Sequence, residues 1–130
     1  MAYKGSQPFK ITLEAGEDLS AKQYYFVKLN ASGKAVACAG VTDKPVGVLQ
    51  NDPTSGQAAE IVVVGLTKVS TNAALAIADL IGTSNDGQAA AYVAGTDTTK
   101  YVVGTVLVTS GGADELTSVL VNCANPHRGA

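Results

Sequence analysis

GQAAEIVVV at residues 56–64 and GADELTSVL at residues 112–120 decide the fold class, because each stretch places a glycine turn directly before a run of strand-forming residues. Glycine is favoured in turns, and branched apolar residues are favoured in strands. Each stretch ends a longer segment. The two segments, 11–64 and 65–121, read as two divergent copies of one strand-and-turn unit of roughly 55 residues.

Other matched features occur in the same order in both copies. The turn Asn30-Ala31-Ser32-Gly33 precedes Val46-Gly47-Val48-Leu49, and the turn Ser84-Asn85-Asp86-Gly87 precedes Val103-Gly104-Thr105-Val106-Leu107. Glycine falls in the turns and Val, Ile or Leu in the strands, as a β-unit requires. The pattern predicts an all-β fold, a single compact β-barrel or β-sandwich domain built from two similar strand-turn units.

We expect roughly nine short strands separated by turns that contain Gly, Pro, Asn or Asp. Residues 71–80 are the one place where a helix competes, because Thr71 or Asn72 could cap an Ala-rich turn. The repeat instead favours a loop followed by a strand, since Leu80 and Ile81 occupy the place of Phe26 and Val27.

Three regions follow from this pattern. Residues 1–10 form an extended N-terminal arm, residues 11–121 form the β domain, and residues 122–130 form an irregular C-terminal tail. The segment from Met1 to Gly5 lacks the apolar core of a signal peptide, and no apolar run approaches the ~20 residues that span a bilayer. We therefore expect a soluble protein that does not enter a membrane.

Composition excludes some partners. The formal net charge is −2, whereas binding to nucleic acid through phosphates needs a clustered basic face. Apolar residues make up 46% of the chain, but aromatic residues only 5% and Trp is absent. Cys38 and Cys123 are distant in sequence and belong to no C-x-x-C pair, so the prediction is two buried free thiols in a reducing compartment.

Catalytic signatures are missing from the sequence. The single histidine, His127, lies in a Pro-containing tail, where a fixed catalytic base is not expected. Cys123 and His127 provide two ligands at most, which is too few for a zinc site. The acidic residues in predicted turns are explained by hydrogen bonding to the local backbone. We predict a protein that is not an enzyme and has no metal or cofactor.

Two binding alternatives remain open. Asp43-Lys44 in a tight turn is similar to the modified lysine of lipoyl or biotinyl carrier domains, although Pro45 departs from their pattern. A small-molecule or glycan-binding β module is the other alternative. Sugar sites usually stack a ring on Trp or Tyr, and five Tyr are available. The loops 51–56 and 96–100 would be the exposed contacts for host surfaces or glycans.

A family resemblance covers about residues 11–121. The runs Lys44-Pro45-Val46-Gly47-Val48-Leu49-Gln50-Asn51, Gly56-Gln57-Ala58-Ala59-Glu60 and Ala76-Ile77-Ala78-Asp79-Leu80 resemble the capsid cement or head decoration proteins of tailed bacteriophages. The resemblance implies a homotrimeric structural protein that binds the major capsid (coat) protein on the outer surface of the virion. It also implies synthesis in the host bacterial cytoplasm and stabilisation of the capsid against internal DNA pressure.

The arm at residues 1–10 lies outside that resemblance. Several weak contacts made together can raise avidity by ~10²–10⁴, and an arm can add a strand to an exposed edge. Phe9, Ile11 and Leu13 would supply apolar anchors for such a strand. The predicted contact residues, with the capsid or a neighbouring subunit, are Tyr3, Lys4, Phe9 and Lys10. The alternative for Phe9 is that it closes the bottom of its own barrel.

Overall fold

The computed structural model describes residues 8–128, which form eleven strands and no helix. The predicted all-β, single-domain class is therefore confirmed. Within these residues there is no helix that could cross a membrane. The strands are β1 (Phe9–Glu14), β2 (Phe26–Leu29), β3 (Ala35–Ala37), β4 (Gly47–Leu49), β5 (Ala58–Ser70), β6 (Leu80–Thr83), β7 (Ala89–Ala91), β8 (Tyr101–Val102), β9 (Gly104–Val106), β10 (Leu116–Asn122) and β11 (His127–Arg128).

Nine strands form one antiparallel sheet that curls into a half-barrel. Eight of them follow the order β3-β2-β4-β5-β10-β9-β6-β7, and β1 pairs with β5 beside this path. The sequence predicts an irregular C-terminal tail, whereas His127 and Arg128 pair with Val102 and Tyr101 in a separate two-stranded sheet.

The long strand β5 joins the two halves of the chain. Its first part pairs with β1 and β4, and its second part pairs with β10. Gly65 lies between the two parts with a φ of 130°, a backbone conformation that L side chains rarely adopt. A Cβ at Gly65 would also lie 2.8 Å from the Cβ of Pro8. Only glycine therefore fits where one half passes into the other.

The two halves repeat one strand order. Around β2 the sheet runs β3-β2-β4-β5, and around β6 it runs β7-β6-β9-β10. Matching backbone hydrogen bonds accompany the order: the N–H of Val46 donates to the carbonyl of Val27 and that of Val103 to the carbonyl of Ile81. We call residues 9–64 the first unit and residues 65–122 the second unit.

Close packing of strands recurs at the same place in both units. A Cβ at Gly47 would overlap the side chain of Ile61 and the carbonyl of Val62. At the matching position, a Cβ at Gly104 would lie 2.7 Å from the carbonyl oxygen of Leu120. The glycines of the repeated V-G-V and V-G-T motifs thus allow β4 and β9 to lie close to the strands beside them.

Residues 71–79 form a loop rather than a helix. Leu75 is buried and makes a β-bridge to Ser110, which holds the loop against the end of the sheet. Strand β6 then begins at Leu80, as the repeat predicts. The buried core is continuous through both units and consists mainly of Val, Leu and Ile.

A candidate binding groove

An apolar groove of about 460 Å³ lies on the first unit. Strands β1, β2 and β5 contribute to it, together with the segment before β4 and the residues after β10. Its lining side chains are Phe9, Ile11, Leu29, Lys44, Pro45, Val46, Val63, Cys123 and Ala124. Lys44 is the only ionisable amine among them, so the groove suits an apolar partner surface.

Strand β1 sets one wall of this groove. Successive side chains of a strand point to opposite faces, so Phe9 and Ile11 share a face. The pairing of β1 with β5 shifts register here, since Phe9 pairs with Val64 and Lys10 pairs with Val62. Phe9 is largely exposed and Ile11 is half-buried. Phe9 therefore forms the rim of the groove, and Ile11 lies deeper.

The opposite wall is the segment Lys44-Pro45-Val46, which is held at both ends. The N–H of Val46 donates to the carbonyl of Val27 at 2.8 Å. Asp43 accepts hydrogen bonds from Lys28 Nζ at 2.9 Å and from the amides of Ala39 and Gly40. Partial burial opposes ionisation of Asp43, but these donors outweigh it and lower its pKa. The wall is thus fixed by an ionised carboxylate.

The two cysteines are buried free thiols. Burial raises the pKa of Cys38 to about 12, and the negative charge of Asp43 acts in the same direction. Burial likewise raises the pKa of Cys123 to about 12. Because the thiolate is the nucleophile, both groups remain unreactive protonated thiols at neutral pH.

The other candidate residues from the sequence, for metal binding and for lysine modification, do not come together in one site. No group of three or more metal-ligating side chains occurs between Pro8 and Arg128. His127 is exposed on β11, whereas Cys123 is buried. Lys44 is exposed at the apolar groove and is followed by the buried Pro45, which departs from the pattern of the carrier domains.

The loops considered for glycan contact use polar groups to stabilise themselves. The amide of Asn51 donates to the carbonyl of Ala58 and accepts from the N–H of Glu60. In the other loop, Asp97 accepts from the N–H of Val93 at 2.7 Å and forms an ion pair with Lys100. These side chains act as turn-stabilising groups.

The predicted contact residues fall into two groups. Tyr3 and Lys4 lie outside the described residues. Phe9 and Lys10 form the exposed start of β1. The sequence-based expectations do not include Leu29, Pro45 or Val46 as groove residues. Strand β2 changes from buried at Phe26 and Val27 to exposed at Leu29 without alternation, so this short strand carries no periodic signal for the groove.

Comparison with known proteins identifies the fold. No protein-family description matches the sequence, and no curated protein matches it. Among solved structures, the N base of the head fiber gp8.5 of bacteriophage phi29 is similar, with a TM-score of 0.64 and 15% identity. The match covers 90% of this chain and 96% of the phi29 chain. The two chains therefore share a fold over nearly their whole lengths.

Proposed function

We propose that this chain is a non-enzymatic structural protein of a tailed-phage virion that binds the outer surface of the capsid and stabilises it. The observation that carries the proposal is the shared fold with the N base of a phage head fiber. The resemblance of about residues 11–121 to capsid decoration proteins points to the same class of protein. The proposed partners are the major capsid protein and further copies of this chain, in a homotrimer.

The proposed capsid contacts are at the start of the chain. Phe9 and Lys10 are exposed, adjacent and held on a paired strand, so they present one apolar and one cationic group on a fixed scaffold. Tyr3 and Lys4 precede them in the chain and extend the same combination of aromatic and cationic residues. Aromatic anchors carry much of the binding energy in protein interfaces. Several copies in one oligomer would multiply such contacts.

Co-sedimentation with phage heads tests this function. Full-length protein is mixed with expanded and with unexpanded heads of the phage that encodes it, and bound protein is quantified. Saturable binding to expanded heads, with greater resistance of those heads to heat, is the expected result. Absence of binding to either kind of head would exclude the proposed function.

A truncation and point variants locate the contact. Removal of residues 1–7 leaves Pro8 and all of β1 in place, so every strand of the described fold keeps its residues. We expect this truncation, and Phe9→Ala with Lys10→Ala, to weaken head binding without changing thermal stability. Thr12→Ala is the matched control on the same strand, since Thr12 is exposed further along β1. Lower stability of Phe9→Ala would instead show that Phe9 closes its own domain.

A further inference from the structure

The contact between the two units of one chain uses different surfaces of each unit. The first unit contributes an edge surface, formed by Tyr24, Phe26, Cys38 and Gln50. The second unit contributes a turn surface, formed by Thr67, Ser70, Thr83 and Gly87. Every member of one surface meets a member of the other. The contact is therefore heterologous, because the two units bury different parts of their common fold.

Hydrogen bonds define this contact. The N–H of Phe26 donates to the carbonyl of Gly87 at 2.7 Å, and the N–H of Ser70 donates to the carbonyl of Tyr24 at 2.9 Å. The amide of Gln50 donates to Oγ1 of Thr67 at 2.8 Å. The side chain of Thr83 lies within reach of the Cys38 thiol, and the carbonyl of Cys38 faces Gly87.

The repeat gives each of these residues a counterpart. The registers of β2 with β3 and of β6 with β7 match Leu29 to Thr83, and the equivalent turns match Gly33 to Gly87. The registers with β5 and β10 match Ile11 to Thr67 and Glu14 to Ser70. The first unit therefore has its own turn surface, formed by Ile11, Glu14, Leu29 and Gly33.

The second unit has its own edge surface by the same matching. Equivalent hydrogen bonds relate Ala78 to Tyr24, Tyr92 to Cys38 and Leu107 to Gln50. The registers of β2 with β4 and of β6 with β9 relate Leu80 to Phe26. The edge surface of the second unit is thus Ala78, Leu80, Tyr92 and Leu107.

Between Pro8 and Arg128, no part of the chain covers these counterpart surfaces. Phe26 is fully buried, whereas its counterpart Leu80 is 46% exposed. Thr83 is 2% exposed, whereas its counterpart Leu29 is 50% exposed. A Cβ at Gly87 would lie 3.1 Å from the carbonyl of Cys38, but a Cβ at Gly33 would meet nothing within 4 Å.

The open surfaces are also more apolar than the buried contact. Within one chain, the second unit packs on the first. If the first unit of another copy packs on the second unit in the same way, Tyr92 meets Leu29 and Leu107 meets Ile11. Intrachain partners at those places are Cys38 with Thr83 and Gln50 with Thr67. Leu107 is 42% exposed, and Ile11 and Leu29 line the apolar groove. Isolated leucines on a surface are ordinary, but these lie where the repeat places an interface.

We propose that the protein self-associates head to tail, with the turn surface of the first unit in one copy covering the edge surface of the second unit in the next copy. The contact repeats the one that joins the units within a chain. The groove between Ile11 and Leu29 receives Tyr92 and Leu107 of the next copy. Lys34 and Glu14 form an exposed ion pair. Their counterparts, Gln88 and Ser70, form a buried hydrogen bond within one chain. In the contact between copies, the ion pair forms the polar rim.

A contact of this kind generates closed rings when the rotation closes and open filaments when it does not. Each added copy contributes two units in the same orientation, so a ring carries twice as many units as chains. The proposal deepens the proposed function, because it supplies the contact between copies in the homotrimer. A monomeric native chain would contradict both this contact and the homotrimer, whereas capsid binding is decided separately by the head-binding experiment.

Sedimentation velocity over a range of concentrations tests the proposal. Leu29→Glu disrupts the turn surface, and Leu107→Glu disrupts the edge surface, each at an exposed position. We expect the native chain to form oligomers and each variant to remain monomeric at the same concentration, with association weakened at least tenfold. Leu116→Glu is the matched control, because Leu116 is 53% exposed but lies outside both surfaces. Circular dichroism verifies that each variant is folded.

Mixing the two variants identifies the geometry. The Leu29→Glu copy retains its edge surface and the Leu107→Glu copy retains its turn surface, so the mixture should form a 1:1 heterodimer that cannot extend. An isologous contact would give no heterodimer, because each copy would bring a damaged patch. The proposal is overturned if the native chain is monomeric up to its solubility limit, if Leu116→Glu dissociates it equally, or if the mixture stays monomeric.

Discussion

Asp43 illustrates how a single side chain fixes the wall of the groove. Its Oδ2 atom accepts from Lys28 Nζ and from the amides of Ala39 and Gly40, all within 2.9 Å. Hydrogen bonding to the local backbone, the expectation for acidic residues in turns, is confirmed at Asp43. Because these donors favour the charged form of Asp43, protonation of its carboxylate weakens the hydrogen bonds that hold the loop.

We expect Asp43→Asn to lower the free energy of unfolding by about 1–2 kcal/mol at pH 7, since hydrogen bonds to a charged group are replaced by weaker neutral ones. The pKa of Asp43 is lowered in the folded protein, so its contribution is present above the ordinary value of 3.8 and is lost as pH falls through the folded value. Urea denaturation from pH 7 to pH 3 should therefore show the difference between native and variant shrinking in acid.

Asp86→Asn provides the control for that measurement, because Asp86 is an exposed turn residue. Its effect should stay within about 0.5 kcal/mol at every pH, as for most surface substitutions. A native-to-variant difference for Asp43 that does not change with pH would contradict the assigned role of its charge.

At the scale of elements, the turns that lead into β2 and β6 have the same unusual backbone. Tyr24 has a φ of 67° and Ala78 a φ of 72°, and both N–H groups donate to the end of the neighbouring strand, at Leu49 and Val106. The left-handed conformation is costly for residues with a Cβ. Its recurrence at matched positions indicates a requirement of the strand order rather than of a binding site.

Ala78→Gly should raise the free energy of unfolding by about 0.5–1 kcal/mol. Relief of the left-handed penalty exceeds the extra entropy that glycine gives the unfolded chain. Chemical denaturation of the variant measures this change. Ala76→Gly is the matched control on the same loop, and it should be destabilising because the φ of Ala76 is not positive. Equal destabilisation by both substitutions would refute the argument.

At the scale of the whole molecule, the two units share one core although they repeat one strand order. Strand β5 runs continuously from Ala58 to Ser70 through both units, and the edge of the first unit is sealed by the second. The buried residues form one cluster that includes members of each unit. Neither unit can therefore unfold without exposing the apolar side chains of the other.

We expect thermal unfolding in a single transition at concentrations where the chain is monomeric. For 130 residues, an enthalpy of about 0.7 kcal/mol per residue near 60 °C gives roughly 90 kcal/mol. Differential scanning calorimetry should find equal calorimetric and van't Hoff enthalpies. Two resolved transitions, each of about half that enthalpy, would show that the units fold independently.

Local patterns of glycine and β-branched residues are sufficient to predict the all-β class, the turns and most of the strands. The stretch from Tyr101 to Thr109 is the informative exception, because its local pattern predicts a single strand. The structure divides it into β8 and β9, because Tyr101 and Val102 pair with β11 instead of continuing in the main sheet. That pairing depends on residues far along the chain.

The packing of the two units on each other determines which copies of the repeated surfaces are buried. Leu29 and Thr83 occupy matched positions, yet the leucine is exposed and the threonine is buried. The difference arises because the second unit packs its turn surface on the first unit, whereas nothing within residues 8–128 packs on the turn surface of the first unit in the same way. A local pattern specifies how a strand forms, whereas long-range packing specifies which face remains free to bind.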